Sequence, residues 1–440
     1  MAHVKNFGAV GDGKHDDTQS LQHALDTGER LVVFPRGVYR LPRPLVVDLD
    51  KVGLTGITGD GGTATLLMDG LGPALRLIGA HGGTADPLSV KPAVWARQRM
   101  PTVSGLEIVG AHDEAVGIEL NGTMQATLTG LLIRQCRYGV HLIGRNRNLL
   151  LSHSHIYHGR GPAIGVYFDG VNLHQANIVG CHISYHAHAG IKIARSEIRN
   201  LQITGCDIEY NFDPAAQDSA DVWIDSRAGT VREGTIASCT IQAKYSPGGC
   251  NVRMEGGEKE QSTDAGLWTI TGNVIQSQHT NLLLRRCRGV VVTGNSFCSA
   301  EHRSIVVDRC RNVAVGVNTI DYNPDYPGAR TDGVVVTRSA GIALNGLNIE
   351  SCRAGNADSG GPIEVAESED ITVANCQILA PVHRGIHLHR VQRAVVNGCL
   401  VRDRRTPPQL LESVLLSNSS DVELSGNLLE KGQHGTVRRK

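Results

Sequence analysis

Over most of the chain, apolar and polar residues alternate in short runs, broken at regular intervals by a small residue. One phrase recurs: an alternating apolar stretch, Gly or another small residue, Asn or Cys, any residue, then Ile or a relative. It reads ITGCDI to Ile208, ITGNVI to Ile275, VTGNSF to Phe297 and LSGNLL to Leu429, with related phrases from Ile108 onward. Thirteen such endpoints follow one another at steps of 22 to 34 residues. A period of that length, filled with strand alternation and free of helical spacing, predicts a coil of short parallel strands. The Asn/Cys position stacks on itself, where amides hydrogen-bond along the ladder and small thiols fill the same corner.

A second strand aligns downstream in each coil, as GIEL (117–120), GVYF (165–168), GIKI (190–193), DVWI (221–224), NVRM (251–254) and SVLL (413–416). Strand alternation turns its second and fourth residues inward. One outward column then holds Glu119, His141, Tyr167, Lys192, Trp223 and Arg253, and a second holds Asp169, Asp225, Glu255, Arg285 and Asp308. Neighbours in a column are about 4.8 Å apart. The expected organisation is a capping module over 1–45, a β-helix of about twelve coils over 46–430, and a basic tail over 431–440. In the cap, DDTQSLQHALD (16–26) predicts a capped amphipathic helix and LVVFPRGVYRL (31–41) predicts strand, turn and strand. GDGGT (59–63) precedes no helix and is expected to be a turn rather than a phosphate cradle.

Composition narrows the function. Lys+Arg and Asp+Glu balance at 43 each, which gives no basic field for a nucleic-acid backbone. No run approaches the length of a membrane helix, so neither nucleic acid nor membrane is expected as a partner. The eleven cysteines form no CxxC pair. They fit buried structural thiols and favour a cytoplasmic setting, with secretion open if a leader has been removed.

VKNFGAVGDGKHDDTQSLQHALD followed by VVFPRGVYRL resembles the N-terminal module of the pectate-lyase superfamily. The resemblance implies an all-β, single-stranded right-handed parallel β-helix with an N-terminal helix and strand cap. That group includes polygalacturonase-like glycosidases, polysaccharide lyases, mannuronan epimerases, inulin fructotransferases and phage tailspikes, and trimers are common in it. Its active clefts lie on the outward face of the aligned strand stack. The group's polygalacturonase phrases leave echoes only, His188 ahead of GIKI and a single Asp221 ahead of VWI. FDP (212–214) lacks the His and Glu of the epimerase phrase.

Inserts at 209–220, 242–249 and 256–266 flank the central coils, and inserts on a rigid scaffold commonly carry function. Glycosidic cleavage needs two carboxylates, about 5 Å apart for retention and about 6.5–9.5 Å for inversion. Asp225 with Glu255 or Asp169, and Asp221 beside them, are the expected catalytic carboxylates. Trp223 and Tyr167 offer exposed flat faces for sugar rings, and Lys192, Arg253, His188 and Arg285 are expected to bind an oligo- or polysaccharide. No cofactor is required by that chemistry. A lyase, with Lys192, Arg253 or Arg285 against a uronate and Ca²⁺ held by Asp169, Asp225, Glu255 and Asp308, is the rival enzyme. A non-catalytic, tailspike-like glycan binder is the rival outside enzymology. His155, His182 and Asp207 share one outward column, where a hydrated polar ladder competes with a metal site.

Overall fold

The computed structural model describes residues 1–216, 218–258, 264–325 and 330–440. It forms two compact units, Met1–Asp213 with Ala228–Val231, and Pro214–Arg227 with Arg232–Lys440. Both are parallel β-solenoids built from three strands per coil, each strand hydrogen-bonded to its counterpart in the next coil. Sheet A runs from Ala2–His3 to Glu197–Thr204 in the first unit, and from Ala265–Thr271 to Ser420–Ser425 in the second. Sheet B holds the strands ending in the recurrent Ile, such as His182–Ser184 and Val274–Gln276. Sheet C holds the second aligned strand, such as Ala189–Ala194 and Cys250–Gly256.

The sequence alignment of that second strand agrees with the observed register. His141 pairs with Tyr167, Tyr167 with Lys192, Trp223 with Arg253, and Asp225 with Glu255. The reason is the period of two: Ile191, Ile193, Val252 and Met254 fill the core, and a slip of one residue would expose all of them.

Between sheets A and B the chain turns on one residue in the left-handed region. Gly205, Gly272 and Gly294 have φ of +60°, +67° and +71°, which is why the phrase carries glycine there. The next residue forms the expected ladder. Asn273 N and Nδ2 donate to Asn295 Oδ1 at 3.0 and 2.9 Å, Asn295 N donates to Asn318 Oδ1 at 2.9 Å, and Cys181 N meets Cys206 Sγ at 3.5 Å. All eleven cysteines are free thiols, and ten are buried.

The coils number about sixteen rather than twelve. Asp12–Asp16, Gly37–Leu41 and Ala64–Met68 occupy sheet B without the Gly-Asn/Cys corner, so the phrase does not reveal them. The helix Thr18–Asp26 covers the first coils with Leu21, Ala24 and Leu25 inward. Asp17 does not cap it: its carboxylate instead accepts from Val10 N and Gly11 N, while Asp16 accepts from Thr18 N. GDGGT is a turn between Gly56–Gly59 and Ala64–Met68. In the expected tail, Val437–Arg439 pairs with Val414–Leu416 as a strand of sheet C.

Candidate functional site

The predicted site residues fall in both units. In the first, the outward face of sheet C carries a connected group. His141 Nε2 lies 3.3 Å from Asp169 Oδ2, and His141 Nδ1 lies 3.4 Å from Glu119 Oε2. Arg76 holds Glu119 at 2.6 Å, and Arg195 reaches both Asp169 and, at 3.2 Å, the Tyr167 hydroxyl. Tyr167 stacks on His141 with centroids 5.6 Å apart, and Tyr138 packs on both. Lys192 Nζ meets His188 Nε2 at 2.6 Å.

Electrostatics follow from that packing. Contact with the His141 ring, helped by Arg76 and opposed by burial, lowers the Glu119 carboxyl. Burial, then the Asp169 charge, raises the Tyr167 hydroxyl. Asp169 keeps 25% of its side chain open to solvent. An imidazole facing two carboxylates can hold a proton and hand it to a group bound above it.

At the edge where sheet B turns toward sheet C, His158 and Tyr185 stack with centroids 4.6 Å apart, and Tyr185 and Tyr210 with 5.7 Å. Tyr185 is 47% exposed. Sequence reasoning placed Glu119 and His141 in the right column without assigning them a role, and missed Tyr138, Arg195 and this aromatic ladder. Tyr138 and Arg195 lie just outside the four-residue strand phrases, and the ladder residues belong to irregular turns.

In the second unit the predicted residues form an ion-pair ladder. Glu255, with 3% of its side chain exposed, is held by Arg253 at 2.8 Å and Arg285 at 3.1 Å. Arg285 continues to Asp308 at 3.3 Å, and Arg227 clasps Asp225 at 2.7 Å. Asp221 is fully buried and accepts from Asn251 at 2.9 Å. Trp223 is 3% exposed, not open as expected. It packs in an apolar group with Ala220, Cys250 and Leu283, and the Arg253 guanidinium lies 4.5 Å from its ring centroid. The inserts at 209–220 and 242–249 connect sheet B to sheet C, and that at 256–266 leads from sheet C to sheet A; Gln217 and residues 259–263 lie outside the described residues.

His155, His182 and Asp207 do share a column. The Tyr157 hydroxyl bridges the two imidazoles at 2.9 and 2.6 Å, and no group of three metal-ligating side chains occurs among the described residues.

Comparison with known proteins bears on the fold. The family described as Right handed beta helix region matches residues 93–227 and 259–435, and Rhamnogalacturonase A/epimerase, pectate lyase-like, matches residues 1–70. No curated protein matches the chain in sequence. Among solved structures, the pre-mature gene product 12 of bacteriophage phi29 is similar at TM-score 0.54 and 15% identity, over 97% of this chain and 56% of that one. ORF18 of Geobacillus virus E2 has TM-score 0.42 and 13% identity over 79% of this chain, which spans 61% of that protein's length. The mannuronan C-5 epimerase AlgE6 A-module of Azotobacter vinelandii has TM-score 0.42 and 13% identity, covering 96% and 99%. With its N-terminal match to a pectate-lyase-like family and its stacked coils, the chain belongs to the right-handed β-helix family of the pectate-lyase-like superfamily.

Proposed function

We propose that this protein is a carbohydrate-active enzyme that binds an oligo- or polysaccharide along the outward face of sheet C and cleaves its glycosidic bonds. The observation that carries the reading is the array Glu119–His141–Asp169 beside Tyr167. Asp169, the more open carboxylate, acts on the bound sugar, and His141 moves the proton. Tyr185 with its stacked neighbours offers the flat apolar surface on which a sugar ring rests. Asp225 and Glu255 serve the ion-pair ladder in this reading: Arg227 binds both oxygens of the less open Asp225, and two arginines enclose the buried Glu255.

A second reading, β-elimination from a uronic acid, draws on the cations of the same face. Arg195 beside Tyr167 and Lys192 beside His188 suit neutralisation of a substrate carboxylate. A polysaccharide panel tests both: new reducing ends without ultraviolet-absorbing unsaturated uronates indicate hydrolysis, and both signals together indicate elimination. Binding with neither signal would reduce the protein to a glycan-binding solenoid.

A further inference from the structure

In the second unit, arginine takes the left-handed residue at the corner between sheets C and A in four coils. Arg286, Arg309, Arg338 and Arg390 have φ of +53°, +55°, +49° and +52°, with Glu367 at +51° between the last two. Backbone bonds lock the corners: Arg286 N donates to Asp308 O at 2.9 Å and Arg309 N to Thr337 O at 3.0 Å. The strands that follow add Arg288 and Arg311, directly paired in register.

Successive coils are roughly 4.8 Å apart, so Arg286, Arg309 and Arg338 occupy adjacent corners and Arg390 follows beyond Glu367. Such like-charge rows are unfavourable unless anions relieve them. Asp308, buried beneath, accepts from Arg309 at 3.1 Å and Arg338 at 2.5 Å and fixes their direction. The result is an open groove of about 740 Å³, lined among the described residues by six arginines and three glutamates, with Ser339, Ser368 and Gln392.

A single small anion would meet only one or two of these cations, whereas a row repeated over successive coils matches a linear chain with repeated charges. None of the described lining residues is aromatic to stack a base, which disfavours a single-stranded nucleic acid. An acidic glycan suits the mixture: its carboxylates take arginine forks, and its hydroxyls take Glu, Ser and Gln. We infer that this groove binds a linear acidic polysaccharide. The inference takes from the proposed function only that the ligand is a glycan, and it needs none of the catalytic residues.

The test is affinity electrophoresis and calorimetry of the full chain with polygalacturonate, with dextran as neutral control and single-stranded DNA as the other polyanion. Polygalacturonate retards the native protein, dextran does not, and the exposed double variant R311Q/R390Q loses about tenfold in affinity while keeping its thermal midpoint. D169N binds as the native protein does, so loss of cleavage and loss of groove binding are read separately. Absence of polyuronate binding, affinity unchanged in R311Q/R390Q, or stronger binding of DNA would overturn the inference.

Discussion

Asp169 Oδ2 lies 3.3 Å from Nε2 of His141, although the two residues belong to neighbouring coils and are 28 positions apart in sequence. The opposite ring nitrogen faces Glu119. A stack of coils turns sequence separation into lateral adjacency, and this is how three unremarkable strand residues become one proton-carrying array.

That adjacency makes the first prediction. D169N and H141Q each lower turnover on whichever glycan proves to be the substrate by at least about a hundredfold, the usual range for loss of an acid–base group. Both variants keep the far-ultraviolet circular dichroism of the native chain. Activity within twofold of native in both would remove the array from the mechanism.

Glu255 is expected to act on stability. Replacing it by Gln leaves the buried Arg253 with Asp218, 3.0 Å away, as its carboxylate partner and loosens Arg285. Breaking a buried ion pair from one side costs about 3 kcal/mol. E255Q therefore shifts the urea midpoint clearly downward. An unchanged midpoint with abolished turnover would return Glu255 to the chemistry.

The asparagine ladder makes a graded prediction. Asn295 accepts from the backbone and side chain of Asn273 and donates to Ile270 O at 3.0 Å. N295A leaves buried polar groups without partners and destabilises by about 2 kcal/mol. N295C costs less, because Cys206 Sγ already accepts Cys181 N at 3.5 Å at the same A-to-B corner of other coils. Equal losses in the two variants would contradict the ladder's role.

Acid sensitivity follows from buried imidazoles. Burial pushes His81, His186 and His387 from the usual 6.5 down to about 4. Between those values the unfolded chain takes up protons that the folded chain refuses, so stability falls as pH drops below about 6.5, by up to about 3 kcal/mol per group near pH 4. His387, which accepts from Gly360 N at 2.9 Å, is the accessible test. Urea midpoints at about pH 7.5 and about pH 4.5 should differ less in H387Q than in the native protein.

Some of this was legible in advance because it depends on neighbours along the chain. Ile191 and Ile193 face the core since a strand alternates, and Gly272 sits where the corner needs positive φ. Once the phrase is found, the column order from Glu119 to Arg285 follows. Trp223 shows the limit: its place in the outward column was right, but its exposure was not, because Arg253 from the next coil covers the ring. The first coils were missed for a related reason, as Ala64–Met68 stacks without the corner residues that mark the later ones.

The sequence by itself determined the coil, its register and the identity of each outward row, since all three follow from periodicity and turn chemistry. Only the tertiary structure decided which outward residues are open, which are neutralised, and which touch. Those outcomes depend on side chains up to several atoms long meeting across coils, as Arg195 does at Asp169 and Arg338 at Asp308. No spacing along the chain encodes where such a side chain comes to rest.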